Sequence, residues 1–227
     1  MKSRPIILGI VIVALALAAG ASAQMQMGMS MRMPQIGGLW NPVVGSGAAY
    51  EVQTKETSKT KMEVAIVGTE MVDGKPGYWL EVKFKDPRSG EDMYTKVLTV
   101  MDGKERRTLR VIMQMPDQPP MEMPMEMINR GRQKPDEDLK ETSELVGSES
   151  VTTPAGTFTC DHYRKKDGSS ETWVATNVSP WGLVKQTGKD SSQILTKVIT
   201  NAKSHIVGNP VKFDPAEMIR RQMERQP

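Results

Sequence analysis

Much of what usually marks a catalyst or a rigid core is scarce in this sequence. It has one cysteine, Cys160, two histidines, His162 and His205, and only three Phe, four Tyr and four Trp against eighteen Met. A lone cysteine cannot close a disulfide within the chain, so no covalent staple supports the fold. Glycine-rich phosphate loops, HExxH, GxSxG and CxxC are all absent, which removes the common nucleotide, metalloprotease, hydrolase and thiol-redox classes. No catalytic set emerges, the chain reads as non-enzymatic, and no cofactor is called for. Long apolar runs are missing too. The one that exists, Ile6 to Ala19, is shorter than the roughly 18 residues a spanning helix needs.

That run follows Lys2 and Arg4 and precedes Ala21-Ser22-Ala23, the small-x-small form of a signal-peptidase site. Residues 1–23 are therefore expected to be a signal peptide, with the mature chain starting at Gln24 and exported to the periplasm or beyond, in a bacterial organisation. No cysteine near the site offers itself to lipid attachment, and no integral span is expected after cleavage. The formal charge falls from +3 to +1 once Lys2 and Arg4 are removed, and the two signs are interspersed along the chain. That patterning argues against a nucleic-acid partner.

Residues 24–36 begin with "QMQMGMSMRM", a methionine-rich tail with no larger hydrophobe to anchor it. From Gly37 to Val211 the texture becomes short alternating runs punctuated by turn residues, the mark of an antiparallel β domain. Asp73-Gly74, Asp102-Gly103 and Asp167-Gly168 each separate two such runs, as hairpin turns do. Ten strands are expected: Tyr50 to Thr57, Lys61 to Val67, Gly77 to Phe84, Met93 to Val100, Arg107 to Met113, Ser143 to Val151, Thr157 to Lys165, Glu171 to Ala175, Leu183 to Thr187 and Ser192 to Asn201. Alternation places Tyr78, Leu80, Val82 and Phe84 on a dry face and Glu81, Lys83 and Lys85 on a wet one. A sheet this large with one dry face must curl into a half-open barrel or be covered. Residues 212–227 are expected to form a short helix, with Asp214 as N-cap and Pro215 at the first helical position.

Between the strands, residues 114–140 carry five prolines and no strand or helix pattern, so a long loop is expected there. It contains "MEMPMEM" and, with Met113, six methionines: Met113, Met115, Met121, Met123, Met125 and Met127. Thioethers are soft donors that suit Cu(I) or Ag(I). The intervening Glu122 and Glu126 offer a soft ion nothing, and neither histidine is near. The same side chains also suit a greasy, adaptable flap over an apolar ligand. A third reading leaves them as plain packing in a structural envelope domain.

From Val151 to Lys185 the chain reads "VTTPAGTFTCDHYRKKDGSSETWVATNVSPWGLVK". Its P-A-G-x-F, H-Y, W-V and P-x-G-L-V-K series resembles a pattern in exported bacterial domains of unknown function, similar to the broader LolA-like lipoprotein-carrier superfamily. The resemblance implies a curved antiparallel sheet, a half-open barrel around an apolar cavity with helices or loops as lid, and an apolar or lipid-like ligand. His162 and Cys160 fall on one face of the strand after Phe158, but without an orienting group or oxyanion hole the pair reads as structural.

The expectation is thus a mainly β protein that binds a lipid or other apolar ligand through Leu80, Val82, Phe84, Met121, Met123, Met125 and Met127. Soft-metal binding by the methionines, with Met113 and Met115 included, is the alternative.

Overall fold

The computed structural model describes residues 39–55, 59–86, 89–103, 105–131, 139–214, 216 and 220. The chain is mainly β, with twelve strands in a single curved, unclosed sheet and two short helices among the described residues. The strands are β1 (Gly47–Thr54), β2 (Thr60–Val72), β3 (Lys75–Lys85), β4 (Asp92–Asp102), β5 (Glu105–Gln114), β6 (Met121–Met123), β7 (Ser143–Thr153), β8 (Gly156–Lys165), β9 (Ser170–Val174), β10 (Leu183–Gly188), β11 (Ser191–Ile199) and β12 (Val211–Lys212). The helices are α1 (Met125–Gly131) and α2 (Leu139–Thr142). Across the sheet the order is β12-β6-β5-β4-β3-β2-β1-β11-β10-β9-β8-β7, so two meanders meet where β1 pairs with β11.

All ten expected strands form, and the turns explain why. Asp73 and Gly74 alone join β2 to β3, with φ of 50° and 76°, the double left-handed conformation that fits the twist of a hairpin. Gly103 and Gly168 take the same region at the other two Asp-Gly turns. At the start of β1, a Cβ on Gly47 would sit 2.1 Å from the Val64 carbonyl oxygen, so only glycine lets β1 approach β2 that closely.

Residues 114–140 depart from the expected loop. Met121–Met123 pairs antiparallel with β5, through Val111 opposite Met123 and Met113 opposite Met121, and α1 begins just after Pro124. Pro124 stands where its missing N–H costs a helix nothing, and its carbonyl accepts from the Met127 and Ile128 amides. Strand β12 adds on in parallel to β6, so the sheet is not wholly antiparallel. The expected C-terminal helix lies largely outside the described residues, although the Ala216 amide donates to Asp214 Oδ1 at 2.9 Å, as an N-cap requires.

Residues directly opposed in an antiparallel ladder share a face. One row runs Ile66, Leu80, Val97, Val111, Met123, and the next runs Ala48, Val64, Val82, Thr95, Met113, Met121. A third links Tyr50, Met62, Phe84 and Met93. This is the inner face: the sheet curls so that Val64, Ile66 and Leu80 pack with Cys160, Trp173, Leu183 and Leu195 from the far meander. Trp40, stacked on Trp181 at 6.2 Å and set edge-on to Tyr78, packs against the same core.

The opposite face is not the wet surface that alternation suggests. Glu81 is 4% exposed, and Trp79, Leu98 and Ile112 bury themselves beneath Ile206. A strap from residue 200 to 206 crosses this outer face and covers its middle. Glu81 anchors it by accepting from Ser204 Oγ at 2.7 Å, from the His205 amide at 2.9 Å and from His205 Nδ1 at 2.8 Å. The His205 ring stacks on Tyr94 at 4.8 Å. Among the described residues no helix is long and apolar enough to cross a membrane.

Candidate functional site: a groove on the inner face

The inner face is most completely buried toward its two sides. Toward β1, Met62, Val64 and Ile66 are at most 2% exposed; toward β6, Val111, Met113 and Met123 are at most 7% exposed. Between them Val82, Phe84, Thr95 and Val97 are only half-buried. The flanks belong to separate cores, one shared with the far meander and one built from Val111, Met113, Met123 and Ile128 under α1, with Met125 and Phe213 packed on it. Val82 packs on the first of these cores and Val97 on the second, so the two cores approach each other across β3 and β4, with Phe84 half-buried between them.

Thr95 places a hydroxyl beside these apolar side chains. Its Oγ1 is shielded from solvent and has no hydrogen-bond partner among the described residues, while its neighbours across the ladder are Val82 and Met113. A buried hydroxyl without a partner destabilises by about 1–3 kcal/mol. Met93, Thr95, Val97 and Thr99 share this face of β4, so two hydroxyls fall among its apolar side chains, Thr99 standing opposite Tyr78.

The structure sorts the expected ligand residues into groups. Leu80 is buried in the larger core, and Val82 and Phe84 are half-buried. Met121 and Met123 are buried on the inner face, at 9% and 3%, beside Met113. Met125 is half-buried against the α1 core, whereas Met127 is exposed on α1, away from the Met121 and Met123 pair. Met115, just past the end of β5, is half-buried. Strand alternation separates Glu122 from the methionines on either side of it. It points to the outer face and takes Arg110 in a fork, Nε to Oε1 at 2.7 Å and Nη2 to Oε2 at 3.1 Å. The Arg110 hydrogen bonds hold the Glu122 carboxyl below its usual range despite partial burial.

Cys160 and His162 do not form a reactive pair. Burial, followed by the nearby Asp161 and Glu149 charges, pushes the Cys160 thiol up to about 11, and the sulfur points to the Phe158 carbonyl oxygen at 3.6 Å. Both imidazole nitrogens face carboxylates: Nδ1 lies 3.2 Å from Glu149 and Nε2 3.6 Å from Glu171. The ring stacks on Trp173 at 4.3 Å, and the Trp173 indole donates to Glu149 at 2.5 Å. Among the described residues no group of three or more His, Cys, Asp or Glu converges as metal ligands do. On the outer face, a cleft of about 340 Å³ lies between the strap and β2 and β3, bordered by Glu63, Glu81, Lys83, Asn201 and His205.

No family model and no curated protein matches the sequence. Among solved structures, a protein from Bacteroides fragilis assigned as exported, with a YmcC-like fold, is 15% identical over 70% of this chain and 97% of its own, at a TM-score of 0.39. A protein from Parabacteroides distasonis assigned as a lipoprotein is 14% identical over 72% of this chain and 99% of its own, at 0.35. Likeness at that level says nothing of ligand or activity.

Proposed function

We propose that this is an exported, non-catalytic protein that binds an apolar, lipid-like ligand in the inner groove of Val82, Phe84, Thr95 and Val97. The observation that carries the reading is the half-buried apolar strip between two fully packed cores. The leader-like residues 1–23 support export, and the LolA-like resemblance of residues 151–185 supports a carrier architecture. Burying a methylene is worth about 0.8 kcal/mol, so a chain laid along the strip gains far more from its length than from any single polar contact. The methionines of the neighbouring core, flexible and polarizable, suit a wall that must accommodate varied apolar shapes.

Filling the groove tests the reading. Val82→Trp is expected to abolish saturable binding of an environment-sensitive apolar fluorophore while the circular dichroism spectrum stays that of a β protein. Unchanged binding would refute the site.

A second reading rests on Met113 standing directly opposite Met121, with Met123 on the same face, so that three thioethers share one surface. Soft-metal binding there would have to draw Met113 and Met123 out of a packed core. A Cu(I) titration in reducing buffer distinguishes it: metal uptake lost on joint Met113→Leu, Met121→Leu and Met123→Leu substitution would favour this alternative.

A further inference from the structure

We infer that the cleft under the strap binds a small zwitterion of the amino-acid class, its ammonium group to Glu63 and its carboxylate to Lys203. This cleft lies on the outer face of the sheet, so the site is independent of the inner groove. The strap is pinned at both ends of it. The Ala202 amide donates to the Gly45 carbonyl at 2.8 Å, and Ser204 and His205 hold Glu81. About 340 Å³ of space is thus held open by the fold itself, enough for a molecule of amino-acid size.

The charges around the cleft are incompletely matched. Glu81 is buried and engaged by the strap. Lys83, opposite Glu63 in the β2 and β3 ladder, gives its ammonium group to Asp92 at 2.9 Å, and Glu63 receives only its longer-range attraction. Glu63 is therefore a half-buried carboxylate with no ion pair among the described residues. Lys203, exposed on the strap at the same cleft, has none either. A partly desolvated carboxylate attracts a cation, but a simple cation would leave Lys203 unmatched, and a simple anion would face both Glu63 and Glu81. A molecule carrying both charges satisfies both ends. Two uncharged groups extend them. His205 stacks on Tyr94, in the ladder row of Glu63 and Lys83, and with its Nδ1 turned to Glu81 the neutral ring offers Nε2 as an acceptor for the ammonium. Asn201, which also lines the cleft, offers a carboxamide N–H to the carboxylate.

A titration of the mature protein with L-alanine, followed by backbone amide shifts in NMR, tests the site. Residues 63–65 and 199–205 are expected to shift saturably. Ethylamine and propionate each carry one of the two charges and should bind at least about tenfold more weakly, the loss of one charge-assisted contact. Glu63→Gln and Lys203→Gln should each weaken L-alanine by about the same factor. Amide shifts away from the cleft should stay as in wild type, which establishes that the variants are folded. Absence of saturable shifts at these residues with L-alanine overturns the inference. Ethylamine or propionate binding as tightly as L-alanine overturns it too, as does an L-alanine affinity untouched by the two substitutions.

Discussion

Arg110 and Glu122 grip each other diagonally across the β5 and β6 ladder, two parallel hydrogen bonds of 2.7 and 3.1 Å on the outer face of the sheet. The consequence lies on the inner face. With Glu122 held outward, Met121 and Met123 are turned inward, and the Glu122 carbonyl accepts from Phe213 to seat β12. Glu122→Ala is expected to cost about 1 kcal/mol, the pair being partly exposed to solvent. It should speed amide exchange in β6 and β12 selectively, which hydrogen-exchange mass spectrometry reads.

The same pair sets an acid limb of stability. Hydrogen bonds from Arg110, from Lys83 and from Arg164 lower the carboxyls of Glu122, Asp92 and Glu171 respectively. A carboxyl whose folded value lies below its unfolded one contributes fully above the unfolded value and loses that contribution as pH falls through the folded value. Denaturant midpoints should therefore hold near neutral pH and decline through and below the ordinary carboxylate range. Glu122→Gln should flatten part of that decline. A midpoint that rises on acidification would contradict the assignment.

Glu81 carries the strap. Glu81→Ala removes the acceptor of three hydrogen bonds, two of them from His205, and should destabilise by roughly 2–3 kcal/mol. The strap should then become the first site of limited proteolysis. Persistence of protection across residues 200–206 would show that Ile206 alone secures it.

This strap marks the limit of what the sequence reveals. Alternation in "YWLEVKF" correctly groups Tyr78, Leu80 and Val82 with one another and Trp79 with Glu81, because the strand period alone decides which side chains share a face. It cannot tell which face a segment more than a hundred residues onward will cover. Glu81 thus reads as solvated and proves to be a buried anchor. The Asp-Gly turns were legible because their φ demands are local, and with them ten strands. Strands β6 and β12 were not, since three- and two-residue strands owe their existence to a partner rather than to their own pattern. Helix α1 hides for a similar reason: "MEMPMEM" alternates like a strand on both sides of a proline that ends one and starts the other.

Cys160 should be inert. Its raised thiol and full burial predict that maleimide at pH 8 labels the protein only as it unfolds, with a labelling rate that tracks denaturant. Rapid labelling of the native protein would mean that the larger core opens.

The most direct test of the groove is native mass spectrometry of the mature protein purified from its own envelope fraction, before and after organic extraction. The account predicts a co-purifying mass of several hundred daltons, lost on extraction and absent from Val82→Trp. A bare protein mass in every sample, with no uptake of an added apolar fluorophore, would contradict it.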